Sequence, residues 1–340
     1  MTKIVDLENH FATEAWVDAL RSDPEGYPRL EDDPKTKYRL FPVRGADLPY
    51  RLLDDMLDLG EGRIATLDEA GIDMAVLSLA APGTEPFPPT LGTRVARKTN
   101  DALAVAVDRF PNRLQGYATL AVKDVDTAVA ELERCVRELG FTGWNTHSNF
   151  GDSYLDERRY WPLLAKAEQL DIPIYLHPTW PIVTEFLPYG MSVAGPSFGF
   201  GAETSMVVMR MIAAGVFDAF PRLQVILGHY AEGLPFMLDR VDRPYLQGHV
   251  APAGPTAPQL KHMPGDYIRK NIIASTSGNY SRQAFVCTRD ALGTGRMVLG
   301  TDYPFESMKA CLEFLSHQEM TEAEADDVYW RTAAGLGMGV

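Results

Sequence analysis

The chain has 340 residues, 46% of them hydrophobic and 23% charged, enough for one large barrel or two ordinary domains. A formal net charge of −14 argues against a polyanionic partner, so nucleic acid is excluded; the charge of a small substrate stays open, because a bound cation can reverse the local field. Three cysteines without C-x-x-C spacing exclude a disulfide framework, and no apolar run approaches the roughly 20 residues of a spanning helix, so a cytoplasmic protein with no membrane partner is expected.

In chain order, Ile4-Val5-Asp6-Leu7 reads as a strand running into Glu8-Asn9-His10. The stretch from Arg21 to Pro49 is rich in Pro and charge, too long and irregular for a simple connection, and reads as a lid or an oligomer contact. A helix is expected from about Leu52 to Ala70, ended by Gly71, then a strand from Met74 to Leu79. Arg94 to Phe110 reads as helix, Leu114 to Thr119 as strand, and Asp124 to Leu139 as an amphipathic helix with Asp124 as its N-cap. Phe141 to Asn145 is the fourth strand and opens into the polar loop Thr146 to Asp152.

After a helix from Arg158 to Leu170, Ile174-Tyr175-Leu176 runs into His177. A second long insertion, Pro178 to Phe200, is rich in Pro, Gly and aromatics. Ala202 to Phe217 is a Met-rich helix, Val225 to Gly228 a strand ending at His229, and Glu232 to Tyr245 a helix followed by an irregular stretch to Pro264. Asn271 to Thr276 is the seventh strand and Met297 to Asp302 the eighth, with a helix between them and two after. Eight strands, each followed by a helix, predict an α/β protein: a single (β/α)8 TIM barrel with two long lid or interface insertions. An open doubly wound sheet would want a glycine-rich phosphate loop after the first strand, where this chain has Glu8-Asn9-His10.

Strand C-termini are where ligands and catalytic groups collect in such a barrel. Glu8 and His10 are two apart and point to one face, read as the lumen, with Asp6 sharing it as a supporting carboxylate. Singly, each polar residue has an ordinary explanation: Glu8 and His10 as solvated loop residues, His177 as a satisfied core histidine, Asp302 as a helix N-cap. Together, Glu8, His10, His177 and Asp302 give mixed N/O ligation from three strand ends, which suits one Zn²⁺ or Mn²⁺ and argues against thiophilic metals. His229 and Glu232 are three apart; if a helix begins at Tyr230 they approach on one face as a proton relay, the alternatives being a ligand or a packing histidine.

With these residues placed, the chain resembles the amidohydrolase superfamily, and within it the metal-dependent benzoate decarboxylases (the γ-resorcylate, 2,3-dihydroxybenzoate and 5-carboxyvanillate enzymes). The resemblance is carried by Leu7-Glu8-Asn9-His10-Phe11, Tyr175-Leu176-His177-Pro178, Ala202-Glu203-Thr204, Leu227-Gly228-His229, Glu232-Gly233-Leu234-Pro235-Phe236, Thr276-Ser277-Gly278-Asn279 and Thr301-Asp302-Tyr303-Pro304-Phe305-Glu306. It implies that residues 1–340 form one metal-dependent domain with one divalent ion per chain. It implies Glu8, His10, His177 and Asp302 as metal ligands, Asp302, His229 and Glu232 as catalytic residues, and Arg240 as a site residue. Hydrolytic relatives resemble H-x-H at the first strand, whereas Glu8 stands in that first slot here, as in the aromatic decarboxylases. The loop after the fourth strand departs from several relatives: His147 stands where they have Asn, and with Asn149 it is the expected reader of ring substituents.

The resemblance implies non-oxidative, reversible decarboxylation of an ortho-hydroxybenzoate-type acid, with a small aromatic carboxylate and CO₂ as partners and a homodimer or homotetramer as the assembly. Protonation of the carboxyl-bearing carbon precedes C–C cleavage, with a protonated Asp302 as the acid. Heterocyclic acids such as iso-orotate are further substrates of the same reading. The alternative is a hydrolase of a lactone or related small carboxylated substrate, with Asp302 as base to a metal-activated water.

Overall fold

In a computed structural model that describes residues 3–250 and 259–339, eleven strands form two sheets. They are β1 (Val5–Phe11), β2 (Arg29–Asp33), β3 (Lys37–Phe41), β4 (Leu48–Pro49), β5 (Met74–Leu79), β6 (Leu114–Thr119), β7 (Gly143–His147), β8 (Ile174–His177), β9 (Val225–Leu227), β10 (Ile272–Ser275) and β11 (Met297–Val298). Eight of them run in the order β1-β5-β6-β7-β8-β9-β10-β11, every pair parallel. The ring closes where Leu7 N donates to Leu299 O at 2.9 Å, Asp302 N to Glu8 O at 2.9 Å and His10 N to Tyr303 O at 2.7 Å. This is the (β/α)8 barrel expected from the alternation of elements.

Two apolar layers hold it. Val5, Leu7, Met74, Val76, Tyr117, Tyr175, Ile226, Ile273 and Val298 fill the lumen together with Ala333 and Met338 from the C-terminal end of the chain. The helices bury a larger outer cluster against the strands, including Trp16, Leu67, Leu103, Leu132, Leu164, Met211 and Phe285. Asp124 caps the helix Val125–Arg137, its Oδ1 accepting from Thr127 N at 3.3 Å. No helix among the described residues is long and apolar enough to cross a membrane. Part of the irregular stretch expected between Leu246 and Pro264 lies outside the described residues.

Three local expectations need correction. The first insertion is not irregular: β2, β3 and β4 form an antiparallel sheet, with Leu30 paired to Leu40 and both buried. Its turn is built by Asp33, whose Oδ1 accepts from Lys35 N and Thr36 N at 2.8 Å each, before Lys37 takes a positive φ of 69°. The helix expected over Leu52 to Ala70 is two, Leu53–Leu57 and Glu61–Ala70, because Asp58 turns extended and its side chain accepts from Gly60 N at 2.8 Å.

The third correction bears on the site. β1 carries an irregularity between Asp6 and Asn9 that breaks the strict two-residue alternation. Val5 and Leu7 therefore face the lumen low in the barrel, and Glu8 and His10 face it at the mouth. Asp6 points the other way, accepting from Asn9 Nδ2 (2.9 Å), Thr301 Oγ1 (2.6 Å), Thr301 N (2.9 Å) and Glu8 N (3.1 Å).

Candidate metal centre

Glu8, His10, His177 and Asp302 meet at the mouth of the barrel, each offering an atom such that all four lie within 4.8 Å of one another. Glu8 and His10 come from the end of β1, His177 ends β8, and Asp302 follows β11 on a backbone with φ of 61°. The two chain ends are sewn together by the ring-closing bonds and by Asp6, which holds Thr301 and the Glu8 amide at once. Gly300 is required there, because a Cβ would stand 2.9 Å from both Glu8 Cβ and Glu8 Oε2.

The ligand atoms are aimed by their neighbours. His177 Nδ1 donates to Pro178 O at 2.7 Å, which fixes the tautomer and leaves Nε2 as the free lone pair, 3.9 Å from Glu8 Oε1. His10 lies between Ser78 Oγ, 3.1 Å from Nδ1, and Asp302 Oδ1, 3.1 Å from Nε2. Glu8 Oε2 accepts from Ser275 Oγ at 2.9 Å, while Glu8 Oε1 is buried without a partner.

That orphaned oxygen is the test of fit. A fully buried carboxylate with one unsatisfied lobe is costly unless a cation meets it. Burial and the nearby Asp302 carboxylate push Glu8 above the ordinary glutamate value, and burial with the neighbouring His10 pushes His177 well below the ordinary histidine value. A divalent ion would favour the ionised carboxylate and use the neutral imidazole. Two imidazoles and two carboxylates with no thiol fit one such ion.

His229 and Glu232 stand beside this centre. His229 Nδ1 lies 2.7 Å from Glu232 Oε1, and Nε2 lies 3.9 Å from Asp302 Oδ2. The expected right-handed helix start is absent. His229, Tyr230, Ala231 and Glu232 all have φ between 53° and 58°, a left-handed turn that brings residues three apart together. Burial opposes a charge on His229, but Glu232 and Asp302 outweigh it and raise its pKa well above the ordinary value. For Asp302, burial works against ionisation while His10 and His229 prevail, holding it below the ordinary carboxylate range.

A cavity of about 1030 Å³ opens from His177, His229, Glu232 and Asp302. Both insertions contribute to its wall, the first through Leu40, Pro42 and Leu48, the second through Trp180, Met191 and Phe198 among others. Three other expected site residues lie off that wall. His147 is buried, its Nδ1 donating to Glu85 Oε1 at 3.0 Å. Asn149 donates to Trp180 O at 3.0 Å and Glu203 Oε2 at 2.6 Å. Arg240 is exposed on the helix Leu238–Leu246.

Several supporting residues carried no signal on their own. Arg63 is buried and donates to His10 O at 2.9 Å, to Asp55 O at 2.8 Å, to Asp58 O at 3.1 Å and to Asn9 Oδ1. Glu203 accepts from Ser148 Oγ, Asn149 Nδ2 and Ile182 N, tying the loop after β7 to the segment after β8. The Ala202-Glu203-Thr204 run was the available hint for Glu203; Arg63 had none.

The family described as Amidohydrolase matches residues 5–336. The chain is 32% identical to a gamma-resorcylate decarboxylase of Polaromonas sp., over 98% of this chain and 97% of that one. Among solved structures it is similar to a dihydroxybenzoic acid decarboxylase from Polaromonas sp. with bound manganese and the inhibitor 2-nitroresorcinol (TM-score 0.82, 32% identity, 99% of this chain and 97% of that one). It is also similar to 5-carboxyvanillate decarboxylase from Sphingomonas paucimobilis (TM-score 0.85, 32% identity, 99% of each chain).

Proposed function

The chain belongs to the amidohydrolase family, and from its likeness to decarboxylases of that family we propose that it is a carboxy-lyase, catalysing metal-dependent, non-oxidative and reversible decarboxylation of an ortho-hydroxybenzoate-type acid. The observation that carries the metal-dependent part of this reading is the centre itself: a four-donor site with an orphaned Glu8 oxygen, beside a histidine held between two carboxylates. Glu8, His10, His177 and Asp302 are the proposed ligands, with zinc or manganese as the ion. When bound, that ion supplies Lewis-acid polarisation of the substrate's carboxylate and neighbouring hydroxyl.

The residues of the chain do the rest. The cavity wall orients the ring so that its carboxyl-bearing carbon faces Asp302. His229 is the proposed proton carrier, its Nδ1 held 2.7 Å from Glu232 Oε1. Its Nε2, 3.9 Å from Asp302 Oδ2, is placed to deliver that proton to the aspartate once substrate alters the surroundings, and Asp302 is the proposed donor to the ring carbon. Ring protonation breaks aromaticity, and loss of CO₂ restores it.

Four further points belong to the same proposal. Residues 1–340 act as one domain in the cytoplasm; the three thiols, all free, suit a reducing compartment. The two insertions act as lids or as contacts between copies in a homodimer or homotetramer. Arg240, outside the wall of its own chain, serves a substrate only if a second copy brings it to a cavity. His147 and Asn149, buried behind the wall, act by shaping it rather than by touching the ring. The lactone-hydrolase alternative could use the same donors, but the relatives named above are decarboxylases.

The test is CO₂ release from a panel of hydroxybenzoates by metal-loaded protein, with ester and lactone panels in parallel. Release of CO₂ with no ester or lactone cleavage is expected. The reverse pattern would replace this reading with the hydrolase.

A further inference from the structure

We propose that the substrate's ring carries an uncharged apolar substituent, an alkyl chain or a second ring, which occupies the part of the cavity away from the metal centre; this rests on the decarboxylase reading. An apolar cavity of about 150 Å³ takes benzene, and pockets of about 300–1,000 Å³ enclose drug-sized ligands. At about 1030 Å³, the space here is several times what one ring with a carboxylate and a hydroxyl requires.

The wall is divided chemically. Its acids and imidazoles are His177, His229, Glu232, Asp302 and Glu306, all after or at the ends of β8, β9 and β11; the Tyr50 phenol, after β4, is a further titratable group. Glu306 belongs to the Asp302 turn, its amide donating to Asp302 O at 3.0 Å. Among the described residues, no lysine or arginine of this chain lines the cavity, so its own wall offers no cation to a second carboxylate or a phosphate.

The helix Gly199–Ala213 gives the direction. At its near end a Cβ on Gly201 would stand 2.5 Å from Glu232 Oε2, and Ser205 Oγ donates to Glu232 O at 2.8 Å. Met206 and Met209 line the same face further along, and at 1.5 Å per residue Met209 is about 12 Å beyond Gly201. Met191 and Phe198 from the second insertion, and Met237, add to the apolar wall. Methionine is flexible and polarisable, so this wall can close around substituents of different shape.

The experiment measures kcat/KM of the metal-loaded wild type on 2-hydroxybenzoates bearing methyl to heptyl chains at each ring position in turn. For at least one position kcat/KM should rise about threefold to fourfold per methylene over the first several carbons, the transfer gain for a buried CH₂. Met209→Trp, which fills the apolar end, should lower the long-to-short ratio at least tenfold. Turnover of the unsubstituted acid with a flat or falling chain-length series at every position would overturn this inference and leave the decarboxylase reading intact. No turnover of any member would overturn both.

Discussion

His229 Nδ1 lies 2.7 Å from Glu232 Oε1 across a turn in which both residues, and the two between them, hold positive φ. Each non-glycine residue in that region costs about 1–2 kcal/mol. The turn persists because its surroundings fix it: His229 N donates to Ser277 Oγ at 3.1 Å, Glu232 O accepts from Ser205 Oγ, and Tyr230 and Ala231 are buried. The strain therefore sits beside the metal centre, where it places an imidazole between two carboxylates.

Gly278→Ala should displace that imidazole. Gly278 has φ of 57°, and a Cβ there would stand 2.7 Å from His229 Cδ2. Turnover should fall by roughly 10²–10⁴, the scale of a lost general acid. Metal content, read by elemental analysis, should stay near one ion per chain, since none of the four donors moves.

His229→Asn and Asp302→Asn should differ in kind. His229 is not one of the four donors, so its Asn variant should keep metal while losing turnover by roughly 10²–10⁴. Asp302 is both proposed ligand and proposed acid, so Asp302→Asn should abolish turnover and weaken metal retention on dialysis. A His229→Asn protein that lost its metal would make His229 a ligand instead.

The barrel and the candidate donor set were legible because buried runs stop at polar residues: Ile174 to Leu176 at His177, and Val298 to Gly300 ahead of Asp302. The irregularity in β1 was not, because two-residue parity is all a short sequence offers, and it assigned Asp6 to the wrong face. The left-handed turn was hidden for a related reason. His229 to Glu232 contains no glycine, so nothing local announces positive φ; tertiary hydrogen bonds impose it. The antiparallel sheet β2-β3-β4 was masked by charge, since Glu31, Asp32, Asp33, Lys35 and Lys37 dilute the alternation of Leu30 and Leu40.

Arg63→Met should destabilise the fold by about 3 kcal/mol, because the buried His10 carbonyl and the part-buried Asp55 and Asp58 carbonyls lose their donor. Arg63→Lys should recover only part of that, since one ammonium cannot span the three carbonyls. Urea unfolding monitored by circular dichroism reads both.

Stability towards acid should depend on Glu131. Burial opposes its ionisation, but hydrogen bonds from Arg134 and Asn100 win and lower its pKa. A carboxyl lowered on folding contributes stability above its ordinary value of 4.5, lost as pH falls through the folded pKa. Asn100 also clamps Thr119, donating to its carbonyl and accepting from its amide at 2.9 Å each, so the loss reaches the end of β6. In Glu131→Gln, thermal melts below pH 4.5 should show a shallower acid-dependent fall than the wild type.

The measurement that tests the central claim most directly is decarboxylation of an ortho-hydroxybenzoate by metal-replete enzyme in D₂O, with the product read by NMR. Ring protonation by a solvent-exchanged acid predicts CO₂ release with one deuterium at the carbon that lost the carboxylate, and no release after chelation. Release of CO₂ without deuterium at that carbon, or undiminished activity in a strong chelator, would contradict the account.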